Sequence, residues 1–360
     1  MTARVAVIGT GLMGASVGLG AREAGAAVRG WDADASALAT AAERGAVEPA
    51  PSLEEAVDGA DVAVVAVPVA ALPAQVDAVL SATADGTTVT DLGSTKAWSA
   101  GLGDRFVGGH PVCGREARGP AAATAEMFRG ATWFLTPTAA TDPQRYRALH
   151  GFVTSLGAVP VAIDPAAHDR LVALTSHLPH ALANLLLNQA GTNRIEGHEP
   201  LASAGGSLRD MTRVAGANPR IWVDIFLDNA EPLREALADH RRRVEQVEAA
   251  LERRDAGFLA RWIAEAAGNR RRMLAGAYEA PADLQRIDVH VPDRPGVLAG
   301  ITQALGAERI NIEDFELRHL SPERGGTLTL LVGGEDEAER ARALLEAQGY
   351  SAAVSRILDE

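Results

Sequence analysis

The stretch Arg4-Val-Ala-Val-Ile-Gly9-Thr-Gly11-Leu-Met-Gly14 places a short apolar run directly before three glycines, and an Ala- and Gly-rich segment of helical length follows. This pattern predicts a strand, a tight turn and a helix. Gly9 allows the turn, Gly11 lets the backbone approach a pyrophosphate, and Gly14 lets the helix pack close to the strand. The phosphates of a dinucleotide would then lie at the N-terminus of the helix.

An acidic residue follows the second apolar run at the spacing that a dinucleotide site needs. Ala27–Trp31 ends at Asp32, about 20 residues after the glycines. A carboxylate there can bind a ribose diol and would repel a 2′-phosphate, so we expect NAD rather than NADP. The same glycines would also suit an ordinary turn, but the strand, the helix and Asp32 together favour a dinucleotide.

Two later segments indicate where the nicotinamide would lie. Asp61–Pro68 is rich in β-branched residues and closes on proline, which predicts a buried parallel strand, and Thr87–Asp91 predicts another. Ligands of such sheets lie beyond the carboxyl ends of the strands, which places Pro68 and Ser94 near the nicotinamide. The predicted cofactor contacts are Gly9, Gly11, Leu12, Met13, Gly14, Asp32, Val67 and Pro68.

Composition narrows the class of protein. The 360 residues carry 47% hydrophobic side chains, a net charge of −13 and one cysteine. The length suggests two or three domains, and the acidic balance argues against nucleic acid or an anionic membrane as partner. No targeting signal and no apolar run of membrane length is evident, and one cysteine agrees with a reducing compartment, so we expect a cytoplasmic protein.

Changes in the sequence pattern predict three domains. Residues 1–164 alternate strand-like and helix-like runs, which predicts an α/β Rossmann-type dinucleotide-binding domain. Residues 165–280 read as an all-α domain, because amphipathic stretches replace the β-branched runs. Residues 284–358 follow the order βαββαβ of a ferredoxin-like unit.

His110 is the first candidate for chemistry. Gly108-Gly109-His110-Pro111 predicts a histidine on a rigid, exposed turn beside the cofactor crevice. A near-neutral pKa suits a histidine to accept a proton. A loop histidine bonded only to backbone is the alternative that the residues leave open.

Further polar residues precede and follow this turn. Ser176-His177-Leu-Pro-His180 puts two histidines on one helix face, which favours pocket lining over a metal site because no third ligand has zinc-type spacing. Arg213 could clamp a carboxylate, although a helical pair with Asp210 fits its spacing equally well. Lys96 is the only lysine among 34 basic residues, which is either chance or a sign of function.

These motifs, taken in order, resemble one family. Gly9-Thr-Gly-Leu-Met-Gly14, Asp91-Leu-Gly-Ser94-Thr-Lys96, Gly109-His110-Pro111, Ser176-His177-Leu-Pro-His180 and Arg209-Asp210-Met-Thr-Arg213 together are similar to the prephenate/arogenate dehydrogenases. The last segment, with Asp293-Arg-Pro-Gly296, resembles an ACT domain, an amino-acid-sensing module. The resemblance covers essentially the whole chain.

The resemblance implies an NAD-dependent oxidative decarboxylation of prephenate to 4-hydroxyphenylpyruvate, in tyrosine biosynthesis. It implies that His110 accepts the proton of the substrate hydroxyl and that Ser94 hydrogen-bonds this hydroxyl and His110. Arg213 would hold a substrate carboxylate and Lys96 would add positive potential near it. Ser176, His177 and His180 would line the substrate pocket.

The resemblance also implies regulation and assembly. Tyrosine would bind the ACT segment at Asp293, Gly296, Val297 and Asn311, unless this domain only dimerises. The apolar faces of the helical domain favour a homodimer.

Other functions fit part of the pattern. Arogenate is the alternative substrate, and a carboxylate such as Glu116 near the substrate side chain would favour its ammonium group. A 3-hydroxyacid dehydrogenase would need a catalytic lysine in the helical domain, which this sequence lacks. A non-catalytic sensor of NAD and amino acids would leave His110, Ser94 and Arg213 together unexplained. The roles of Arg115 and Arg118 do not follow from spacing.

Overall fold

The computed structural model describes residues 3–113, 117–275, 283–321 and 325–356. The chain forms two units, Met1–Arg242 and Arg243–Glu360. The predicted domain boundaries near residues 164 and 280 remain predictions. Glu116 and Arg115 lie outside the described residues.

The first unit begins with alternating strands and helices and continues with helices alone. Its elements are β1 (Arg4–Ile8), α1 (Leu12–Glu23), β2 (Ala27–Trp31), α2 (Ala35–Glu43), β3 (Glu48–Pro49), α3 (Leu53–Val57), β4 (Val62–Val65), α4 (Leu72–Ala82), β5 (Thr88–Asp91), β6 (Gly108–Pro111), β7 (Thr132–Thr136), α5 (Pro143–Ser155), β8 (Val159–Ala162), α6 (Pro165–Val172), α7 (Leu178–Thr192), α8 (Gly206–Thr212), α9 (Pro219–Asp228) and α10 (Ala230–Glu252), which ends in the second unit.

The five parallel strands run in the order β3-β2-β1-β4-β5. Both faces of β1 are buried, because Val5 and Val7 pack into one core and Ala6 and Ile8 into another. The strands β2 and β3 lie on one side of β1, and β4 and β5 lie on the other. The strand order therefore reverses between β1 and β4, and these two strands flank the crevice where such sheets bind their ligands. The predicted Rossmann-type sheet is confirmed.

One row of paired residues marks the carboxyl edge of this sheet. Trp31 pairs with Ile8, Ile8 with Val65, and Val65 with Asp91. The residues that follow each strand therefore lie along the same edge.

A second sheet, β6-β7-β8, continues from the first. The segment before β6 joins β5 through a parallel bridge between Val89 and Phe106. β7 and β8 pair in parallel.

The predicted turn at His110 is wrong, because this residue lies in strand β6 opposite Phe134 of β7. The two glycines before it serve close packing. A Cβ on Gly108 would lie 2.3 Å from Thr136 Oγ1, and a Cβ on Gly109 would lie 2.6 Å from the Asp91 carbonyl oxygen. The Gly-Gly pair thus lets β6 approach its neighbours.

The helices that follow confirm the predicted all-α region. The two predicted pocket histidines do not share one α-helix, because a π-helical turn spans residues 173–177 between α6 and α7. Its wider spacing ends at His177, and His180 lies in the first turn of α7.

The second unit continues with the ACT segment. Its further elements are α11 (Ala256–Ala275), β9 (Leu284–Val291), α12 (Val297–Ala307), β10 (Asp314–Ser321), β11 (Gly325–Gly333), α13 (Glu335–Ala347) and β12 (Ser351–Arg356). The sheet order β10-β11-β9-β12 is antiparallel throughout, and α12 and α13 pack on it, which confirms the predicted ferredoxin-like arrangement. Ile310, in the loop before β10, is a buried core residue of this segment.

Candidate active site

The three glycines after β1 have three different environments. The φ angle of Gly9 is +91°, and a Cβ there would lie 2.5 Å from the carbonyl oxygen of Ala66. A Cβ on Gly14 would lie 1.9 Å from the Gly9 carbonyl oxygen, so the helix can approach the strand only with glycine here. Gly11 faces open space, with no atom within 4 Å of its Cβ position. This is the geometry that a closely approaching pyrophosphate requires.

The N-terminus of α1 presents backbone donors to the same space. Gly11 is the N-cap residue, and among the described residues no side chain caps the first N–H groups of the helix. Leu12 and Met13 form the first turn and pack partly against the core. Free N–H groups and the helix dipole both attract an anion.

Asp32 is held at the end of β2 by its neighbours. Its Oδ2 accepts the backbone N–H of Thr10 at 2.6 Å and the Thr10 hydroxyl at 3.1 Å, while Oδ1 accepts the N–H of Asp34 at 2.8 Å. These bonds fix a half-buried carboxylate beside the glycine turn, and each oxygen keeps further lone pairs for a ribose diol. Val67 and Pro68 follow β4, and Val67 lies against the Gly9 turn.

Asp91 connects three parts of the site. Its Oδ2 accepts the N–H of Gly93 at 2.8 Å and bonds the ammonium of Lys96, while Oδ1 accepts the N–H of Gly109 at 3.1 Å. The carboxylate therefore ties β5 to the turn that carries Ser94 and to the strand that carries His110.

The structure places Lys96 in the interior instead of at a pocket surface. Its side chain and that of Asp91 are both 0% exposed, and its ammonium also donates to the Thr95 carbonyl oxygen at 2.9 Å. Because Asp91 and the Thr95 carbonyl oxygen engage this ammonium, Lys96 could influence a substrate carboxylate only through its charge, and its predicted positive potential there stays a prediction.

His110 is half-buried and belongs to a chain of polar side chains. Its Nδ1 lies 2.8 Å from Nε2 of His168, and Nδ1 of His168 lies 2.8 Å from Oδ1 of Asp169. Asp169 also accepts the backbone N–H groups of Lys96 and Ala97, each at 2.7 Å. Within the described residues, the partner of the His110 ring is His168 and not Ser94, which is half-buried on the neighbouring turn.

The helices contribute a cluster of rings. His177 is 1% exposed, and its Nδ1 lies 2.9 Å from the Asn229 amide nitrogen, which also donates to the Asp169 carbonyl oxygen at 2.9 Å. His180 stacks on Trp222 with ring centroids 3.5 Å apart. Ser176 is half-buried beside His177 on the π-helical turn.

Arg213 lies directly after α8 and is exposed. Burial, and then the charge of Arg213, lower the pKa of His180. The charge of Arg213 therefore acts on the His180 ring, and an exposed guanidinium of this kind can bind an anion.

Burial favours the neutral form of three histidines in this site, His110, His177 and His180. Burial first, and then the charge of Lys96 and the rings of His168 and His177, lower the pKa of His110 well below its ordinary value. Burial likewise lowers the pKa of His177 to about 4, against an opposing effect of Asp169. A neutral histidine can accept a proton, as a general base must.

Several residues of this arrangement escape sequence reasoning. His168 and Asp169 lie 58 and 59 positions after His110, where no motif marks them, and Trp222 and Asn229 lie in a segment that reads only as amphipathic helix. Among the described residues, no group of His, Cys, Asp and Glu is arranged to hold a metal ion. No helix in that part of the chain is long and apolar enough to cross a bilayer.

Comparison with known proteins identifies the family. The family description "Prephenate dehydrogenase, nucleotide-binding domain" matches residues 17–162, and "Prephenate dehydrogenase, dimerization domain" matches residues 164–265. A prephenate dehydrogenase of Bacillus subtilis is 34% identical over 272 residues, which are 72% of this chain and 72% of that protein. The chain belongs to the prephenate dehydrogenase family.

Other members of this family support the assignment. A prephenate dehydrogenase of Lactococcus lactis is 26% identical and covers 95% of this chain and 97% of its own. Prephenate dehydrogenase from Aquifex aeolicus, solved with hydroxyphenyl propionate and NAD⁺, matches with a TM-score of 0.71 and 27% identity, over 76% of this chain and 99% of its own. Synechocystis arogenate dehydrogenase matches with a TM-score of 0.70 and 28% identity, over 75% and 99%.

The C-terminal segment belongs to a second family, since the ACT domain description matches residues 286–349. Of the predicted effector residues, Gly296 has a φ of +89° at the start of α12 and Val297 is buried in the core. The Asn311 amide donates to Glu313 at 2.7 Å, and Asp293 is exposed.

Proposed function

We propose that this member of the prephenate dehydrogenase family oxidises prephenate with NAD and releases carbon dioxide and 4-hydroxyphenylpyruvate. The observation that carries the proposal is the position of His110. It lies at the same edge of the sheet as the glycine turn, next to Asp91 in the row that runs through Val65 and Ile8.

The distance along this edge suits an extended dinucleotide. Neighbouring strands are about 4.8 Å apart, so β6 lies roughly 14 Å from β1. Pyrophosphate at Gly11 and ribose at Asp32 would direct the nicotinamide toward β4, β5 and the His110 ring. The open Gly11 turn and the uncapped α1 N-terminus both fit this cofactor.

The proton balance of the reaction suits a neutral histidine. NAD, held by the glycine turn and Asp32, would supply the acceptor for the hydride that leaves C4 of the substrate. His110 accepts the proton of the C4 hydroxyl, which leaves a carbonyl at that carbon. The bond from the ring to its carboxylate then breaks, carbon dioxide leaves, and the electron pair enters the ring and forms a phenolate. The phenolate takes the proton back from His110, so the histidine is regenerated.

Other side chains would hold the substrate. Arg213 suits a substrate carboxylate, because a guanidinium can bind both of its oxygens. Ser94 would hydrogen-bond the hydroxyl from the turn beside β6, while His180, His177 and Ser176 would line the pocket. Lys96 would act indirectly, through its buried ion pair with Asp91.

The test is a direct absorbance assay of NADH formation with purified protein and prephenate, with 4-hydroxyphenylpyruvate and carbon dioxide measured as products. Arogenate belongs in the same assay, because the Synechocystis neighbour is an arogenate dehydrogenase. A higher kcat/KM for prephenate supports the proposal, a higher value for arogenate replaces it, and no NADH from either substrate refutes both.

We infer further that tyrosine binds the ACT segment at Asp293, Gly296, Val297 and Asn311 and reduces catalysis. A sensing role requires that tyrosine bind two states of the enzyme unequally. Calorimetry of the full chain should detect tyrosine and show a weaker response to phenylalanine. Absence of heat with either amino acid would leave this domain as an assembly module.

We infer also that two copies associate through the helical region, in the cytoplasm. Apolar side chains on α9, α10 and α11 are exposed, among them Leu227 at 71%, Leu251 at 58% and Ile263 at 60%. The matched dimerization domain covers this region. Light scattering at working concentration should give twice the chain mass of 37.5 kDa, and a monomer mass would contradict the inference.

A further inference from the structure

His110 contacts a buried pair of side chains, His168 and Asp169, through His168. His168 is 0% exposed and Asp169 is 2% exposed, and both lie on α6, while His110 lies on β6. Two contacts of 2.8 Å join the three residues in the order Asp169, His168, His110. Of the three residues, His110 is half-buried and the other two are buried.

The protons in this chain can be assigned from the acceptor at its end. An ionised carboxylate only accepts hydrogen bonds, and Asp169 already accepts two backbone N–H groups from Lys96 and Ala97. The proton between Asp169 and His168 therefore belongs to Nδ1 of His168. A neutral His168 then has a lone pair at Nε2, so it accepts the Nδ1–H of His110.

This assignment leaves Nε2 of His110 without a proton. A neutral histidine carries one ring proton, and its partner at the other nitrogen selects the position. Without that partner, the ring would also populate the form with a proton on Nε2, which cannot accept one from a hydroxyl. The rigid attachment of Asp169, whose carbonyl oxygen also accepts from Asn229, keeps the selection in place.

We propose that His168 and Asp169 are positioning residues that hold His110 with Nε2 unprotonated toward the substrate hydroxyl. The proposal rests on the proposed function for the identity of that hydroxyl. After His110 takes the proton, its Nδ1–H still donates to His168, and the Asp169 carboxylate offsets the new positive charge. The proton returns to the phenolate directly from His110. Neither His168 nor Asp169 therefore touches substrate.

Kinetics of two variants test the positioning role. His168→Leu removes the acceptor, and His168→Gln restores one at a similar reach. We expect kcat of His168→Leu to fall about 10²-fold, within the range that a general base contributes, while KM changes less than about 3-fold. His168→Gln should recover at least about 10-fold of this loss. His150→Leu, which changes an exposed histidine on α5, is the control and should keep full activity.

A spectroscopic measurement tests the proton assignment without catalysis. Long-range ¹H–¹⁵N spectra of the full chain with ¹⁵N-labelled histidine distinguish a protonated from an unprotonated ring nitrogen. The His110 signals are assigned by their loss in His110→Asn. We expect Nδ1 protonated and Nε2 free in the unaltered protein and in His168→Gln, and a mixture in His168→Leu.

The outcomes separate this proposal from the proposed function. Protonated Nε2 on His110 in the unaltered protein overturns the positioning role, even where His168→Leu fails to fold. Unchanged kcat in a folded His168→Leu also overturns it. If the unaltered protein oxidises neither prephenate nor arogenate, the proposed function fails, while the spectra still decide the proton positions.

Discussion

The ring of His180 stacks on the indole of Trp222, with centroids 3.5 Å apart and an interplanar angle of 25°. Phe226 and His177 then contact the indole edge to face, at centroid distances of 5.4 and 6.0 Å. The stack fixes the orientation of the His180 ring, whose pKa is lowered by burial and then by the charge of Arg213.

Trp222→Ala should therefore weaken substrate binding more than it slows the chemical step. Loss of the stack frees the His180 ring and exposes it, so its lowered pKa should rise toward the ordinary value. We expect KM for the substrate to rise about 10-fold, with kcat changed less than about 3-fold. Trp222→Phe keeps a ring for the stack and is the matched control. Equal KM values for the Ala variant and the unaltered protein would remove Trp222 from the binding site.

His110→Asn should abolish turnover and leave cofactor binding intact. The amide cannot accept the hydroxyl proton, and the glycine turn and Asp32 are untouched, so kcat should fall about 10²- to 10⁴-fold. Fluorescence titration with NADH gives the cofactor affinity of both proteins. A parallel loss of NADH binding would show instead that His110 is needed for the structure of the cleft.

The acid limb of the activity profile should lie below the usual range for histidine. Burial and the charge of Lys96 lower the pKa of His110 well below its ordinary value of about 6.5. The ring therefore stays unprotonated as pH falls through 6.5, and kcat/KM should decline only at more acidic pH. Measurements of kcat/KM from pH 5 to 8 test this. An inflection at or above about pH 6.5 would contradict the buried, charge-coupled environment of the ring.

Much of the fold could be predicted from local sequence, but the candidate site could be predicted only in part. A Cβ at Gly9 or Gly14 would overlap backbone atoms, and Gly11 faces open space that a phosphate can approach, so the cofactor edge could be predicted. The adjacent glycines Gly108 and Gly109 suggest a turn when the sequence is considered alone. Their actual role, close approach of β6 to its neighbours, depends on residues from β5 and β7 that sequence alone does not bring together.

Long-range partners explain the other differences. The contact between His110 and His168 joins a strand and a helix 58 positions apart, and it depends on how α6 packs against the sheet. Lys96 stands out as the only lysine, but its burial beneath the site is set by Asp91 and Asp169. The positive potential predicted for Lys96 near a substrate carboxylate came from its residue type and its neighbours in sequence, which carry no information on burial.

Asp32→Asn should weaken NAD binding and reduce the discrimination against NADP. The amide still accepts a hydrogen bond from Thr10, but it loses the charge that strengthens bonds to the ribose hydroxyls and repels a 2′-phosphate. We expect the dissociation constant for NAD to rise about 10-fold, as for loss of a charged hydrogen bond. Glu43→Gln, on the following helix, is a charge-matched control. Unchanged NAD affinity, or unchanged preference between the two cofactors, would contradict this role.

Lys96→Met should destabilise the protein strongly, because it leaves the Asp91 carboxylate buried without its counter-ion. Removal of one partner from a buried ion pair costs about 3–5 kcal/mol in the free energy of unfolding. The double variant Asp91→Asn with Lys96→Met removes both charges and should be more stable than Lys96→Met alone. Arg234→Met, which breaks the exposed pair with Glu231, is the control and should change little. Urea unfolding followed by circular dichroism measures the free energy of unfolding of all three variants. A double variant less stable than Lys96→Met would show that the hydrogen bonds from Gly93 and Gly109 to the Asp91 carboxylate contribute more to stability than its ion pair with Lys96.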